Sequence, residues 1–326
     1  MRRRVFIITG AGFLAAWSTA VHAQQQKISR IGFLALSEDA AKPELLDALR
    51  AGLRDHGYVD GQNVLIEYSF ANGSIQGYPQ AVMDLIALNV DVIIAWTTPA
   101  AIAAQKATST IPILLLGVPD PVSLGLVQSL RRPGANITGL SNQGAELSGK
   151  LMEQLVTMDP GIRRLAVLYN PLNPSQLLQL HEIEAAGQSL GLSLEAVSAS
   201  APGNFDAALD RIISMQSQGV VVLADALFIS ERQKIADFAI KHKLATISQR
   251  REIPEAGGLM AYGADLKVQL RQIADYVDKI LKGTNAGELP VEQPTKFELV
   301  INLKTANALG ISVPPSMLAV ADQVIE

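Results

Sequence analysis

The sequence of residues 90–121, VDVIIAWTTPAAIAAQKATSTIPILLLGVPDP, predicts the fold class because a helix-forming segment joins two short apolar runs. The runs Val90–Ala95 and Ile111–Leu116 have roughly the six-residue length of buried strands. The alanine-rich segment Pro99–Thr108 between them favours a helix. A strand, a helix and a second strand in this order predict two parallel strands joined by a crossover helix.

The same alternation continues on both sides of this unit. The flanking predicted elements are strand Ile28–Leu36, helix Glu44–His56, strand Asn63–Phe70, helix Pro79–Leu88 and, after the unit, helix Pro121–Leu130. The alternation then restarts, with strands Leu165–Tyr169, Leu192–Ser198, Val220–Ala224 and Leu244–Ile247 and helices Pro174–Leu190, Asn204–Gln216 and Ser230–His242. The sequence therefore predicts an α/β fold with two Rossmann-like lobes, each built on a parallel sheet.

A third portion of the chain completes both lobes. It contains the predicted strand Gly257–Gly263, helix Asp265–Leu281 and strand Phe297–Leu303. We expect lobe 1 to comprise residues 27–137 with about 260–290, and lobe 2 to comprise residues 140–256 with about 295–326, each within the usual size of a domain. The chain would then cross between the lobes three times. Such a three-segment hinge predicts a cleft that closes around a ligand.

Residues 1–23 have the composition of a signal peptide. Residues 2–4 are all arginine, an apolar stretch follows as far as about Trp17, and Val21 and Ala23 are small enough for a cleavage site. The apolar stretch is shorter than the roughly 20 residues that a membrane span needs. We therefore expect cleavage near Ala23 and a periplasmic protein that begins at Gln24. The paired arginines leave both the general and the twin-arginine export routes open.

The composition excludes several classes of function. Acidic residues number 31 and basic residues 27, for a formal net charge of −4, whereas nucleic-acid-binding proteins present a basic face. The sequence has no cysteine, which excludes disulfides and a lipid-modified cysteine anchor. A chain of this length buries enough surface to fold without disulfides. These features predict a soluble protein that is not a lipoprotein and does not bind nucleic acid.

Three predicted strand-to-helix junctions share one design. In each, a residue that caps helices stands directly before a proline that suits the first helical position: Thr98, Asp120 and Asn173. Such a junction directs free backbone N–H groups toward the ligand position, at the carboxyl ends of the strands. An ordinary helix cap is the alternative at each junction. Their recurrence in both lobes favours a site for a small polar ligand.

Other candidate residues lie at the same strand ends. Thr97 and Thr98 can donate to a carboxylate, and Asp120 or Asp225 can pair with an ammonium group. Aromatic side chains at three strand ends can stack on a flat ligand, and Arg250 or Arg251 can bind a carboxylate through two hydrogen bonds. Capping, core packing and solvated surface charge are the alternative roles. The predicted ligand-binding residues are Trp96, Thr97, Thr98, Asp120, Tyr169, Asn170, Asp225 and Phe228.

The sequence lacks the common catalytic motifs. No cysteine is available as a nucleophile or zinc ligand, and His56, His181 and His242 lie far apart. After residue 23 there is no H-x-x-x-H pair, no G-x-S-x-G nucleophile elbow and no phosphate-binding G-x-x-x-x-G-K-[ST] loop. We therefore expect neither an enzyme nor a metal site, and no cofactor.

Several segments resemble one family of transport proteins, the ABC transporter substrate-binding proteins that include tryptophan- and tyrosine-binding members. The similar segments are residues 49–64, 107–113, 120–122, 132–139, 255–263 and, most specific, LPVEQPTKFELVIN at 289–302. The resemblance extends from about Ile28 to the C-terminus, which is nearly the whole chain after the signal peptide. It implies a type I periplasmic-binding fold with a three-stranded hinge.

The resemblance also implies partners and a ligand. The partners would be ABC permease and ATPase subunits in the inner membrane, to which a monomeric receptor delivers an unmodified small molecule. An aromatic amino acid would place its carboxylate at Thr97 and Thr98 and its ammonium at Asp120 or Asp225. Trp96 would either stack on the ligand or fill part of its space. A ligand-sensing periplasmic module and, less closely, an exported α/β hydrolase remain the alternatives.

Overall fold

The computed structural model describes residues 28–38, 43–142 and 144–326. The predicted signal peptide lies outside these residues. Among the residues described, no helix is both long and apolar enough to cross a membrane.

The first lobe is built on a five-stranded sheet in the order β2-β1-β3-β4-β5. Its strands are β1 (Ser29–Ala35), β2 (Val64–Phe70), β3 (Val92–Trp96), β4 (Ile113–Val118) and β5 (Ile137–Ser141), and its helices are α1 (Pro43–Asp55), α2 (Tyr78–Ala87) and α3 (Thr98–Ala107). All four strand pairs are parallel. The unit predicted from residues 90–121 forms β3, α3 and β4 at the centre of this sheet.

The second lobe is built on a seven-stranded sheet in the order β12-β11-β10-β9-β8-β6-β7. Its strands are β6 (Arg164–Tyr169), β7 (Ser193–Ser198), β8 (Gly219–Val222), β9 (Ala245–Ser248), β10 (Met260–Ala264), β11 (Phe297–Asn302) and β12 (Gln323–Ile325). The helices of the remaining chain are α4 (Gly144–Met158), α5 (Pro174–Ser189), α6 (Phe205–Ser214), α7 (Ala226–Ser230), α8 (Arg232–Lys241), α9 (Glu252–Glu255), α10 (Leu266–Leu281), α11 (Leu303–Leu309) and α12 (Pro315–Val320). Only the β10–β11 pair of this sheet is antiparallel among the strands described.

Each sheet has a buried apolar cluster on both of its faces. Helix α10 follows β10 in sequence, yet it packs in the first lobe, where Leu270 and Ala274 share a cluster with Leu49 of α1. Asp265, between β10 and α10, caps the helix by accepting hydrogen bonds from the Lys267 and Val268 backbone N–H groups at 2.9 and 3.3 Å. The chain therefore passes from lobe 2 to lobe 1 at Asp265.

The other two passages between lobes follow β5 and precede β11. The segment before β11 lies beside β5, where the Glu292 N–H donates to the Gly139 carbonyl at 3.0 Å and the Ser141 N–H donates to the Glu292 carbonyl at 2.9 Å. The sheets differ from the expected domain bounds in two places. Residues 137–141 lie in the first sheet, and residues 260–264, expected in lobe 1, pair with β9 and β11 in the second.

The predicted helix Pro121–Leu130 is wrong. Residues 121–125 form a turn that ends at Gly125, which has φ +68°. The Leu126 N–H donates to the Pro121 carbonyl at 2.9 Å, and the Gly125 N–H donates to the Val122 carbonyl at 2.9 Å. This pair of hydrogen bonds is the Schellman arrangement that ends helices. The glycine thus ends the helix after one turn, although the apolar spacing beyond it suits a longer one.

Candidate functional site

The candidate site is a cleft between the lobes at the carboxyl ends of the central strands, the usual ligand position in open α/β sheets. Lobe 1 lines it with Leu36, Trp96, Thr97, Thr98, Gly117, Pro119 and Asn142. Lobe 2 lines it with Asn173, Ser175, Ala224, Asp225, Ala226, Ile229, Gln249 and Arg250. A ligand in this cleft would contact both lobes at once.

Thr97 occupies an unusual backbone conformation at the end of β3. Its φ of 101° and ψ of 159° lie in a region that only glycine adopts readily, at a cost of about 1–3 kcal/mol. The surroundings hold it there, because its N–H donates to the Leu116 carbonyl at 2.9 Å and its carbonyl accepts from Ala101 at 3.1 Å. Its hydroxyl lies 3.2 Å from the hydroxyl of Tyr78. Strain of this kind is typical of binding and catalytic sites.

Thr98 begins helix α3 and contributes the clearest ligand-directed group of lobe 1. Its side chain is 1% exposed, and its Oγ1 has no hydrogen-bond partner among the described residues. A buried hydroxyl without a partner costs about 1–3 kcal/mol, so such groups are usually paired. The hydroxyl and the N-terminal end of α3 together suit a negatively charged ligand oxygen.

Asp225 is the centre of a buried polar network in lobe 2. Its Oδ1 accepts hydrogen bonds from the Leu227 N–H at 2.9 Å and from Asn170 Nδ2 at 3.2 Å. Its Oδ2 accepts from Asn173 Nδ2 at 2.9 Å and from Gln176 Nε2 at 3.4 Å. The three amide side chains are each less than 5% exposed. The network fixes the end of β8 against the start of α5.

The environment of Asp225 has opposing effects on its charge. Burial raises the pKa of the carboxyl group, while the hydrogen bonds from Asn173, Leu227 and Asn170 favour the charged form and oppose that rise. Burial is the larger effect, so the pKa lies above the ordinary value of an aspartate. Each oxygen of the carboxylate already accepts two hydrogen bonds, which is the capacity of its lone pairs.

Trp96 and Arg250 meet across the cleft from opposite lobes. The guanidinium carbon of Arg250 lies 5.8 Å from the centroid of the Trp96 ring, within the range of a cation–π contact. Glu252 holds the guanidinium through hydrogen bonds to its Nε and Nη2. The rings of Trp96 and Phe33 pack in a T-shaped arrangement, with 6.0 Å between centroids. Trp96 is therefore buried, with only 6% of its surface exposed.

Five of the eight predicted site residues lie at the cleft, four of them in its lining and one in the layer behind it. Trp96, Thr97, Thr98 and Asp225 line the cleft, whereas Asn170 lies behind Asp225 and donates to it. Asp120 is not part of the lining, since its Oδ1 accepts from the Ser123 N–H at 3.0 Å and caps the turn that replaces the predicted helix.

The aromatic residues Tyr169 and Phe228 also lie outside the cleft lining. Tyr169 is partly buried against the core of lobe 2. Phe228 is fully buried and packs edge-on against Phe205, with 5.7 Å between ring centroids. The geometry of helix α7 explains why Phe228 is buried, because residues three apart in a helix share a face. Ala226 and Ile229 therefore face the cleft, while Phe228 points into the core.

Among the polar residues that line the cleft, Asn142, Ser175 and Gln249 were not predicted from the sequence as possible ligand contacts. Asn142 and Gln249 directly follow the ends of β5 and β9, so the strand-end rule applied to every strand identifies both. Asn142 Oδ1 accepts from Gln269 Nε2 at 2.9 Å. Gln249 is 8% exposed, and its Nε2 has no hydrogen-bond partner among the residues described. Both amides thus present an NH₂ group that is available to a ligand.

We expect Phe228→Leu to lower the free energy of unfolding by about 1–1.5 kcal/mol while leaving ligand affinity unchanged, because the ring fills the core and not the cleft. Urea denaturation and calorimetric titration would measure the two quantities. A large loss of affinity at unchanged stability would instead place Phe228 in contact with the ligand.

Comparison with known proteins gives consistent results. A family model described as ABC transporter substrate binding protein matches residues 30–325. A tyrosine-binding protein of Clostridioides difficile is 26% identical over 287 residues, which cover 88% of this chain and 82% of that protein. The family model spans nearly all the described residues, including every element that lines the cleft.

Two solved structures share the architecture. A conserved domain protein from Vibrio cholerae is 27% identical, with a TM-score of 0.84 and coverage of 91% of this chain and 100% of that one. An ABC domain from Streptococcus pneumonia in complex with L-Trp is 24% identical, with a TM-score of 0.84 and coverage of 91% and 99%. The chain therefore belongs to the ABC transporter substrate binding protein family.

Proposed function

We propose that this protein is the periplasmic receptor of an ABC importer, which binds a small carboxylate-bearing solute between its lobes and releases it unmodified to permease and ATPase subunits in the inner membrane. The observation that carries the proposal is the cleft itself. Side chains from the strand ends of both lobes meet there, and three passages of the chain connect the lobes. Closure of one lobe on the other would enclose the ligand.

The chemistry of the cleft supports a carboxylate on the ligand. The buried hydroxyl of Thr98, the start of α3 and the cation of Arg250 all favour a negatively charged group. The related proteins named above bind tyrosine and L-Trp, and both of these molecules carry a carboxylate. Aromatic amino acids are therefore the first candidates by relationship.

The proposed location and partners rest on the N-terminal sequence and on the family. Residues 1–23 carry the features of an export signal, and members of a substrate-binding family act with a membrane transporter. No group of three or more histidine, cysteine or acidic side chains suited to a metal ion occurs in the portion of the chain that the structure covers. By analogy with the family, we propose that the receptor acts as a monomer and returns its solute chemically unchanged.

A thermal-shift screen of residues 24–326 tests this function. The panel contains amino acids, small carboxylates, sugars and polyamines. A ligand at 100 times its Kd should stabilise the protein by about 2.7 kcal/mol, which raises the melting temperature by a few degrees. Mass spectrometry should recover the bound compound unchanged. Conversion of the compound, or no shift with any class, would contradict the proposal.

A further inference from the structure

Among the residues that the structure describes, none that lines the cleft has a carboxylate free to accept an ammonium group. Asp225 is the only acidic residue among the described residues that line it. Its two oxygens accept four hydrogen bonds, from Leu227, Asn170, Asn173 and Gln176. A carboxylate has about four lone-pair positions, so these donors use its capacity. Asp225 thus positions the wall of lobe 2, and both of its oxygens are engaged within the protein.

Two backbone carbonyls of the cleft lining each already accept one hydrogen bond within the protein. The Pro119 carbonyl accepts from Ser141 Oγ at 3.0 Å, and the Ala224 carbonyl accepts from Gln176 Nε2 at 3.0 Å. The ring of Trp96, which could attract a ligand cation, already faces the cation of Arg250. An ammonium group would therefore enter a cleft in which the strongest cation-binding groups are engaged.

Four of the groups that remain available in the described cleft lining can donate hydrogen bonds. Thr98 Oγ1 and Gln249 Nε2 are buried without a partner among the described residues. Asn142 uses its Oδ1 for Gln269, which leaves its Nδ2 as a donor. Arg250 pairs with Glu252 through Nε and Nη2, and its Nη1 has no further bond within the described part of the chain. Four donors from both lobes thus line the cleft beside a carboxylate that is already satisfied.

We propose that the cleft recognises its ligand as an organic anion and does not recognise an ammonium group, so that a carboxylic acid binds at least as tightly as the matching amino acid. This inference rests on the proposed function and specifies its substrate class. A carboxylate supplies the acceptors that Thr98, Gln249, Asn142 and Arg250 need, because each of its oxygens accepts two hydrogen bonds.

The negative charge of Asp225 is the strongest argument for an ammonium, and its hydrogen bonds weaken that argument. The four donors are directed at its oxygens and compensate the charge locally. The attraction that remains acts on any cation in the cleft, without the directed hydrogen bonds that distinguish an ammonium from a methylene group.

Calorimetric titration of residues 24–326 with three matched sets of compounds tests the inference. Each set contains an amino acid, the acid without its amino group and the amine without its carboxylate. The sets are phenylalanine, hydrocinnamate and phenethylamine; tyrosine, desaminotyrosine and tyramine; and leucine, isocaproate and isopentylamine. In at least one set we expect the acid to bind as tightly as the amino acid or more tightly, and the amine not to bind.

Thr98→Val provides a matched variant, since valine has the shape of threonine without the hydroxyl. We expect it to weaken binding of the acid by about tenfold and to leave the melting temperature of the free protein unchanged or higher. Asp120→Asn is the control, because Asp120 caps a turn outside the cleft, and it should leave the affinity for the acid unchanged.

Three outcomes would overturn the inference. Binding of an amino acid about tenfold more tightly than its matched acid would show that the ammonium is recognised, and the receptor function would stand. Binding of only sugars or polyamines in the wider screen would remove the anion assignment and again leave a receptor. Absence of binding across all compounds would contradict both the inference and the proposed function.

Discussion

Replacing Asp225 by alanine is expected to lower the free energy of unfolding by about 3 kcal/mol, because four hydrogen-bond donors in the wall of lobe 2 lose their acceptor. Three of them are the amides of Asn170, Asn173 and Gln176, and the fourth is the Leu227 N–H. A buried donor without a partner costs about 1–3 kcal/mol. Water entering from the cleft recovers part of that cost. Urea denaturation followed by circular dichroism would measure the loss.

Asp120→Ala is the matched control for this variant. The sequence presents both aspartates as ammonium partners at strand ends, but Asp120 accepts one hydrogen bond, from the Ser123 N–H at 3.0 Å. We expect its replacement to cost about 1 kcal/mol, the usual effect of losing a cap. Equal losses for the two variants would contradict the assignment of Asp225 as the centre of a network.

The α/β fold with parallel sheets in two lobes was predictable from the sequence because buried parallel strands appear as short apolar runs. The run from Val92 to Trp96 is buried at every position, and so are the four residues of β9. Such runs can be recognised in the sequence without knowing how the neighbouring elements pack. The match of the family model confirms the family that the sequence resembles.

Elements whose structure depends on a single turn or on long-range strand pairing were harder to predict from the sequence. The segment after Asp120 has helical spacing, but Gly125 ends the helix after one turn, and composition alone does not show which glycine has this effect. Strand β10 lies between the predicted strand Leu244–Ile247 and the predicted helix Asp265–Leu281, and its partner β11 is more than 30 residues away in sequence. Which sheet it joins depends on the hinge geometry, and the apolar pattern is the same in either case.

The location of the cleft could be predicted from the sequence, but the contacts of the side chains that line it could be predicted only in part. The strand-end rule identifies Thr97, Thr98 and Asp225 because it depends only on topology. It does not show that amides at and before the start of α5 donate to Asp225, since Gln176 reaches it from a helix that begins 51 residues earlier in the chain. The contact of Arg250 with Trp96 joins two lobes, and no local pattern encodes it.

Gly139→Ala is expected to lower the free energy of unfolding by about 3 kcal/mol or more, because it combines backbone strain with a steric clash. Gly139 has φ +129°, and a Cβ added there would lie 2.5 Å from both the N and the O of Leu115 in β4. Those atoms belong to the backbone of a central strand and cannot move aside alone. The carbonyl of Gly139 also accepts the Glu292 N–H at 3.0 Å, in the segment that leads to lobe 2.

Gly125→Ala separates the two contributions to this loss. Gly125 has φ +68° and open space around the added Cβ, so only the strain of the left-handed conformation remains, at about 1–2 kcal/mol. Urea denaturation of both variants should therefore give a clearly larger loss for Gly139→Ala, and equal losses would show that β4 and β5 can separate at little cost. Because β5 is hydrogen-bonded to the segment leading to β11, a costly separation at Gly139 would predict that the lobes bend in the passages beyond this contact.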